Sequence, residues 1–202
     1  MTFRQAVAVV LAGLAGASSA VAQPLLVNPT GPYIHKGSGF VFPVASGVYR
    51  RVQIVEYDAQ ATDVGVNYDL VLRGGGKARY SIYVYPAPSV PEGTGHSTLT
   101  ALCADQFRGI KAEIAGAHSD AKLIEEKRIE APFPGTDVAG HQATYDFSDG
   151  FGPVQAYRSE ADLFCFYGTR WLIAYRITAP AGAWPELDRA GFIKSLPWPP
   201  AR

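Results

Sequence analysis

The chain carries few side chains whose type and spacing could do chemistry. Its four histidines are His35, His96, His118 and His141. None lies within helical reach of another, and neither an HExxH pattern nor a paired-cysteine metal spacing occurs. His96 precedes a helix start, a place where an anionic ligand can be met, although a solvated loop histidine is the plainer account. Three serine contexts invite a nucleophile reading: Gly37-Ser38-Gly39, His96-Ser97, and Ser148 within Asp146-Phe147-Ser148-Asp149. None is a G-x-S-x-G elbow, and helix capping explains Ser97 better than catalysis does. The segment from Asp146 to Gly150 lacks the alternating oxygen ligands and final Glu of a calcium loop, so it reads as a turn. Glu125 and Glu126 are adjacent in a strand and so point to opposite faces, and no carboxylate pair aimed at one bond is visible. No catalytic residue, metal ligand or cofactor-binding residue is assigned from these patterns, and no cofactor is expected.

Two groups of residues remain. Tyr83, Tyr85, Tyr157, Tyr167 and Tyr175 have the types to line a groove for a sugar, peptide or aromatic ligand, but core packing explains most such residues in a sheet. Cys103 and Cys165 are the only cysteines. In an oxidising compartment they are a candidate disulfide, the alternative being two buried thiols that serve as small apolar residues.

The N-terminus supplies the compartment. Arg4, an apolar run from Ala6 to Ala17 and the small-x-small triplet Ala20-Val21-Ala22 form an export signal, with cleavage expected after Ala22. The alanine-rich signal fits a bacterium, and the periplasm is the expected location. No cysteine follows the signal to take a lipid, and no later segment is apolar enough to span a membrane. Lys and Arg total 18, as do Asp and Glu, and no basic stripe exists, so nucleic acid is not an expected partner.

The elements that must position these residues follow from periodicity. Residues 23–39, rich in Pro and Gly, read as an extended lead-in to a single domain over 40–202. Phe40 to Val44 is a short strand confined to an edge by Pro43. Val48 to Tyr57 is a strand with Val48, Val52 and Ile54 on one parity. Gly65 to Arg73 and Arg79 to Tyr85 form a hairpin through Gly74-Gly75-Gly76, with Tyr80, Ile82 and Val84 opposite Tyr83 and Tyr85. A helix capped by Ser97 or Thr98 runs to Gly116 with the stripe Leu99, Leu102, Cys103, Gln106, Phe107, Ile110 and Ile114. Ala121 to Glu130 reads as a charged edge strand. Gly140 to Phe147 is a strand with Ala143, Tyr145 and Phe147 inward.

Val154 to Thr178 is the longest hairpin and belongs mid-sheet. Tyr157, Ala161, Leu163, Cys165 and Tyr167 share one parity, and Trp171, Ile173, Tyr175 and Ile177 alternate beyond the turn, which reads as a pair with one buried face. A last helix starts with Pro185 in its first position, is lined by Leu187, Ala190, Ile193 and Leu196, and uses Gly191 to approach the sheet. Trp198 is expected to fold back onto the body.

The expected fold is therefore α+β: an antiparallel sheet of about seven to eight strands covered by two helices, in the order ββββαββββα. From Val48 to Leu196 this order resembles the PsbP-like architecture. The chain also resembles an uncharacterised family of exported proteobacterial proteins in the patterns FPVASGVYRRVQIVEYD, from Phe42 to Asp58, and YSIYVYPAP, from Tyr80 to Pro88. The PsbP-like resemblance implies a binding or assembly role. The expected function is a non-catalytic periplasmic binding or assembly protein, its partner an envelope protein or a small ligand. The alternatives are a hydrolase with a loop-built site near residues 86–97, and a small-ligand carrier that uses the tyrosines.

Overall fold

The computed structural model describes residues 23–132, 138–148, 155–168 and 170–197. The export signal, the turn residues Asp149 and Gly150, and Trp198 lie outside the described residues. The strands are β1 Leu25–Val27, β2 Tyr33–Ile34, β3 Val41–Phe42, β4 Ala45–Ser46, β5 Tyr49–Glu56, β6 Val64–Val71 and β7 Lys77–Pro86. Helix α1, His96–Ala117, leads to β8 Lys122–Ile129, β9 Gly140–Phe147, β10 Tyr157–Tyr167 and β11 Trp171–Pro180. A 3-10 helix, Ala181–Glu186, and a short α2, Arg189–Ser195, follow.

The fold is α+β and its pairings are antiparallel. Nine strands form one sheet in the order β1-β5-β6-β7-β11-β10-β9-β8, with β4 beside β5, while β2 and β3 pair separately. Two meanders, β5 to β7 and β8 to β11, meet where β7 pairs with β11. Helix α1 carries the chain from the centre of the sheet to its far edge. The expected strand count was too low because the lead-in is not merely extended. Its β1 pairs with β5, and Arg51 donates to the carbonyls of Pro29, Gly31 and Phe42 at 2.7–2.8 Å.

Each face of the sheet is covered over one half. On one face α1 packs on β9 and β10, and Cys103, Phe107 and Ile114 meet Tyr145, Phe147, Ala161, Leu163 and Cys165. On the other face Phe40, Phe42, Trp184, Phe192 and Ile193 cover β5, β6, β7 and β11, meeting Tyr49, Tyr68, Tyr80 and Tyr175. The uncovered half of each face is polar, as half-solvated antiparallel strands require. Gln53, Asn67 and Asp69 share the α1 face beyond the helix; on the opposite face the register sets Gln142 beside Glu160 and Asp162, which are themselves buried, Glu160 under Arg189.

Several elements sit as their periodicity requires. The triple glycine turns the β6–β7 hairpin, with Gly75 and Gly76 at positive φ. The charged segment β8 is an edge strand and is exposed along nearly its whole length.

Others differ for local reasons. Two bulges break the strict alternation. One at Val52 leaves Val48 and Val52 exposed and turns Tyr49 and Ile54 inward. The other, at Phe166 with φ 59°, turns Tyr167 to the face opposite Cys165. The β10–β11 hairpin is therefore buried on both faces, not one, because it lies where the two half-covers overlap. Helix α1 is capped by Gly95 through backbone alone, so Ser97 and Thr98 fall within its first turn. It also runs past Gly116 to Ala117. Pro185 lies inside the 3-10 helix, and α2 starts later, where the Asp188 carboxylate accepts from the Gly191 N–H at 2.8 Å. Gly191 makes room for that cap and not for the sheet. The main anchor of α2 is Phe192, wholly buried among Tyr49, Tyr68 and Tyr80.

Candidate functional site: a tyrosine-lined groove beneath the first helix

The groove forms where α1 leaves the sheet. The register sets Gly65, Tyr83, Ala174 and Leu163 in one row across β6, β7, β11 and β10. The next row holds Asn67, Ser81, Arg176 and Ala161. Gly65, Ala174, Ser81 and Ala161 are small, so the sheet surface is hollowed beside Tyr83. Above it α1 presents Gln106, Gly109, Ile110 and Glu113, spaced three and four apart and thus on one helical face. Tyr57, Asp63, Tyr85 and Arg176 are also among the lining residues. The cavity volume is about 400 Å³, within the range of small-molecule sites.

Tight packing shapes the aromatic wall. A Cβ on Gly65 would lie 3.1 Å from ring carbons of both Tyr57 and Tyr83, so the glycine lets the two rings close over it. Gly109 is the converse. It sits in mid-helix, where glycine costs about 1 kcal/mol against alanine, yet apart from its chain neighbours and the helix's own nearby backbone no described atom lies within 4 Å of its would-be Cβ. Nothing in the protein requires a glycine there, and its absent side chain leaves the groove open.

The charges are mixed. Burial, then Asp58 and Glu113, holds the Asp63 carboxyl above the usual carboxylate range. Burial first, then Tyr83, Asp63 and Glu113, pushes the Tyr57 hydroxyl up to about 12. Burial, with Glu113 and Asp63 behind it, also raises Tyr85. Arg176 lies at the other end. Its Nη2 donates to His118 Nε2 at 2.8 Å, and its Nε lies 3.4 Å from Ser159 Oγ. His118 stacks on Phe147, with ring centroids 3.9 Å apart.

Of the five tyrosines singled out above, only Tyr83 and Tyr85 put their rings in this groove. Tyr157 is core beneath α1, and Tyr167 and Tyr175 pack on the opposite face. Cys103 and Cys165 form a disulfide with Cα atoms 5.8 Å apart, both wholly buried. It pins α1 to β10 one turn before Gln106 and so holds the helix that roofs the groove.

The remaining candidates do not converge. His96 is exposed and bonds to no described side chain. Buried His141 stacks on Phe107. His35 is wholly buried and bonds Ser38 Oγ at 2.8 Å and the Thr62 carbonyl at 3.1 Å. Ser38 also accepts from the Phe40 N–H, so this Ser–His contact ties a turn together. Among the described residues no three His, Cys, Asp or Glu side chains come together as metal ligands, and no helix is long and apolar enough to cross a membrane.

A second polar cluster, on the opposite face, has no counterpart in the sequence reading. Glu160 pairs with Arg189 at 3.2 Å, and Asp162 accepts from Gln142 Nε2 at 2.9 Å. Both acids are buried, and burial with the Glu160 charge pushes Asp162 up to about 7.

Sequence reasoning missed Tyr57, Asp63, Gly109, Glu113 and Arg176. Two carried a readable signal: Gly109 interrupts a helix, and Arg176 is the one charge in the strand Trp171–Pro180. Comparison with known proteins finds no matching family model, curated protein or solved structure.

Proposed function

We propose that the protein is an exported, non-catalytic binding protein that holds a small organic ligand in the groove between α1 and the sheet. One observation carries this reading. The groove is a cavity of about 400 Å³ with aromatic walls and polar groups at both ends, the make-up of small-molecule sites. Gly109 supports it, because the helix forgoes stability at a position where a side chain would enter the groove. The secretion signal and the disulfide support a periplasmic location. The PsbP-like element order implies the same kind of role by fold analogy alone. The hydrolase alternative gains no support, since among the described residues no base and nucleophile meet near residues 86–97.

The test separates stability from binding. Gly109→Ala should stabilise the protein by about 0.5–1 kcal/mol and leave the groove usable. Gly109→Trp should fold but fill the groove. Native mass spectrometry of wild-type protein from its own envelope should show a bound small molecule that Gly109→Trp lacks. A ligand retained by Gly109→Trp, or none in the wild type, would overturn the reading.

A further inference from the structure

The arginine at the end of the groove differs from its counterparts. Arg79 pairs with Asp69, Arg158 with Asp146 and Arg189 with Glu160, each within 3.2 Å. Arg176 has no carboxylate oxygen within 4.0 Å among the described residues. Its hydrogen-bond partners are His118 and Ser159, neither of them a carboxylate. A guanidinium has five N–H donors, and these contacts engage only part of them. Burial accordingly holds its pKa below the usual arginine range. A half-buried cation in the middle of a sheet with no carboxylate in direct contact, only the more distant charge of Glu113, is costly, and it becomes favourable when an anion meets it there. Arg176 is also a wall of the groove, so that anion has room to arrive.

The other end sets the opposite condition. Asp63 precedes Val64, which pairs with Val84, whereas Arg176 pairs with Ser81. The two ends thus lie about 10–14 Å apart along the strands. Asp63 there, and Glu113 between it and Arg176, where its charge acts on both, repel a second negative group. Tyr57, Tyr83 and Tyr85 lie between, and their rings suit a flat apolar body.

We propose that the groove binds a small aromatic monocarboxylate, with its carboxylate on Arg176, its ring against Tyr83 and Tyr85, and a neutral or protonated group towards Asp63 and Glu113. The proposal rests on the groove being a ligand site. It excludes dicarboxylates of the same size, because their second charge would lie beside two acids in a partly dehydrated space.

Ligand-observed NMR titration of the exported protein tests it with 3-phenylpropionate, phenylsuccinate and 2-phenylethylamine. The wild type should bind phenylpropionate about tenfold or more tightly than either of the others. Arg176→Gln should weaken phenylpropionate by about tenfold or more, and Arg176→Lys should retain part of the affinity because it keeps a point charge without the bidentate fork. Should Arg176→Gln fail to fold, Glu113→Gln at the helix surface gives the same decision: it should narrow the gap between phenylsuccinate and phenylpropionate. Equal phenylpropionate affinity in wild type and Arg176→Gln would overturn the proposal, as would a gap unmoved by Glu113→Gln or tighter binding of the amine. If none of the probes binds while Gly109→Trp still displaces a co-purified molecule, this ligand class is wrong and the groove remains a binding site.

Discussion

Replacing Asp162 by Asn should flatten the dependence of stability on pH. Asp162 lies mid-sheet on β10 and is 3% exposed. Its carboxyl accepts one hydrogen bond, from Gln142, and lies on the same face as Glu160. Burial first, and the Glu160 charge second, push it from 3.8 up to about 7. Between about pH 4 and pH 7 the folded chain therefore holds a proton that the unfolded chain has released. The folded state binds more protons there, so its stability is fullest below that window and is lost as pH rises through it. The slope is at most about 1.4 kcal/mol per pH unit, and over about three units the loss approaches 4 kcal/mol. Asn keeps the shape and can still accept from Gln142, but it does not ionise. Glu160, whose carboxyl burial also holds high, remains in both chains and keeps its own contribution to the slope. Urea unfolding followed by tryptophan fluorescence at about pH 4.5 and about pH 8 measures the difference. Asp162→Asn should lose less stability than the wild type between those conditions, by about 2–4 kcal/mol. Profiles that run parallel to within about 0.5 kcal/mol would refute the reasoning.

Phe192→Ala should cost about 3–5 kcal/mol by urea denaturation, because a wholly buried ring between Tyr49 and Tyr80 leaves a cavity they cannot close. Thiol titration of the denatured, unreduced chain should find no free thiol, and the Cys103→Ala, Cys165→Ala double variant should lose about 2–5 kcal/mol, since the bridge closes a loop with a sequence separation of 62. Replacing Glu125 and Lys127 by Val should produce concentration-dependent association on size-exclusion chromatography, because β8 then offers a less charged, more apolar edge beside exposed Leu123 and Ile124.

Much of the element map was legible because it is written in local chemistry. Alternation marks β6, β7 and β9. The run of charges on β8 belongs at an edge wherever that edge falls. Three successive glycines between alternating strands admit little but a turn. The stripe on α1 predicted burial of Phe107, which is 1% exposed, although its neighbour Leu102 is only half-buried. The misreadings were local as well. A bulge is one residue of slippage, and at Val52 and Phe166 no residue type announces it. Extending the parity through those points put Val48 and Tyr167 on the wrong faces.

The sequence by itself determined the long strands and the first helix, which strand resists partners, and that two cysteines on apolar stripes had reason to meet. Periodicity carries this because it records that a segment has a buried side. It does not record which other segment does the burying. The tertiary structure alone decided that β7 pairs with β11, that α1 covers β9 and β10 while Phe192 and the lead-in cover the opposite half, and that both faces of β10 and β11 are therefore dry. The groove is a product of that register. Tyr57, Asp63, Tyr83, Glu113 and Arg176 are far apart in the chain, and only the side-by-side placement of small residues across four strands opens a space among them. Long-range hydrophobic burial selects that register, and local propensity is blind to it.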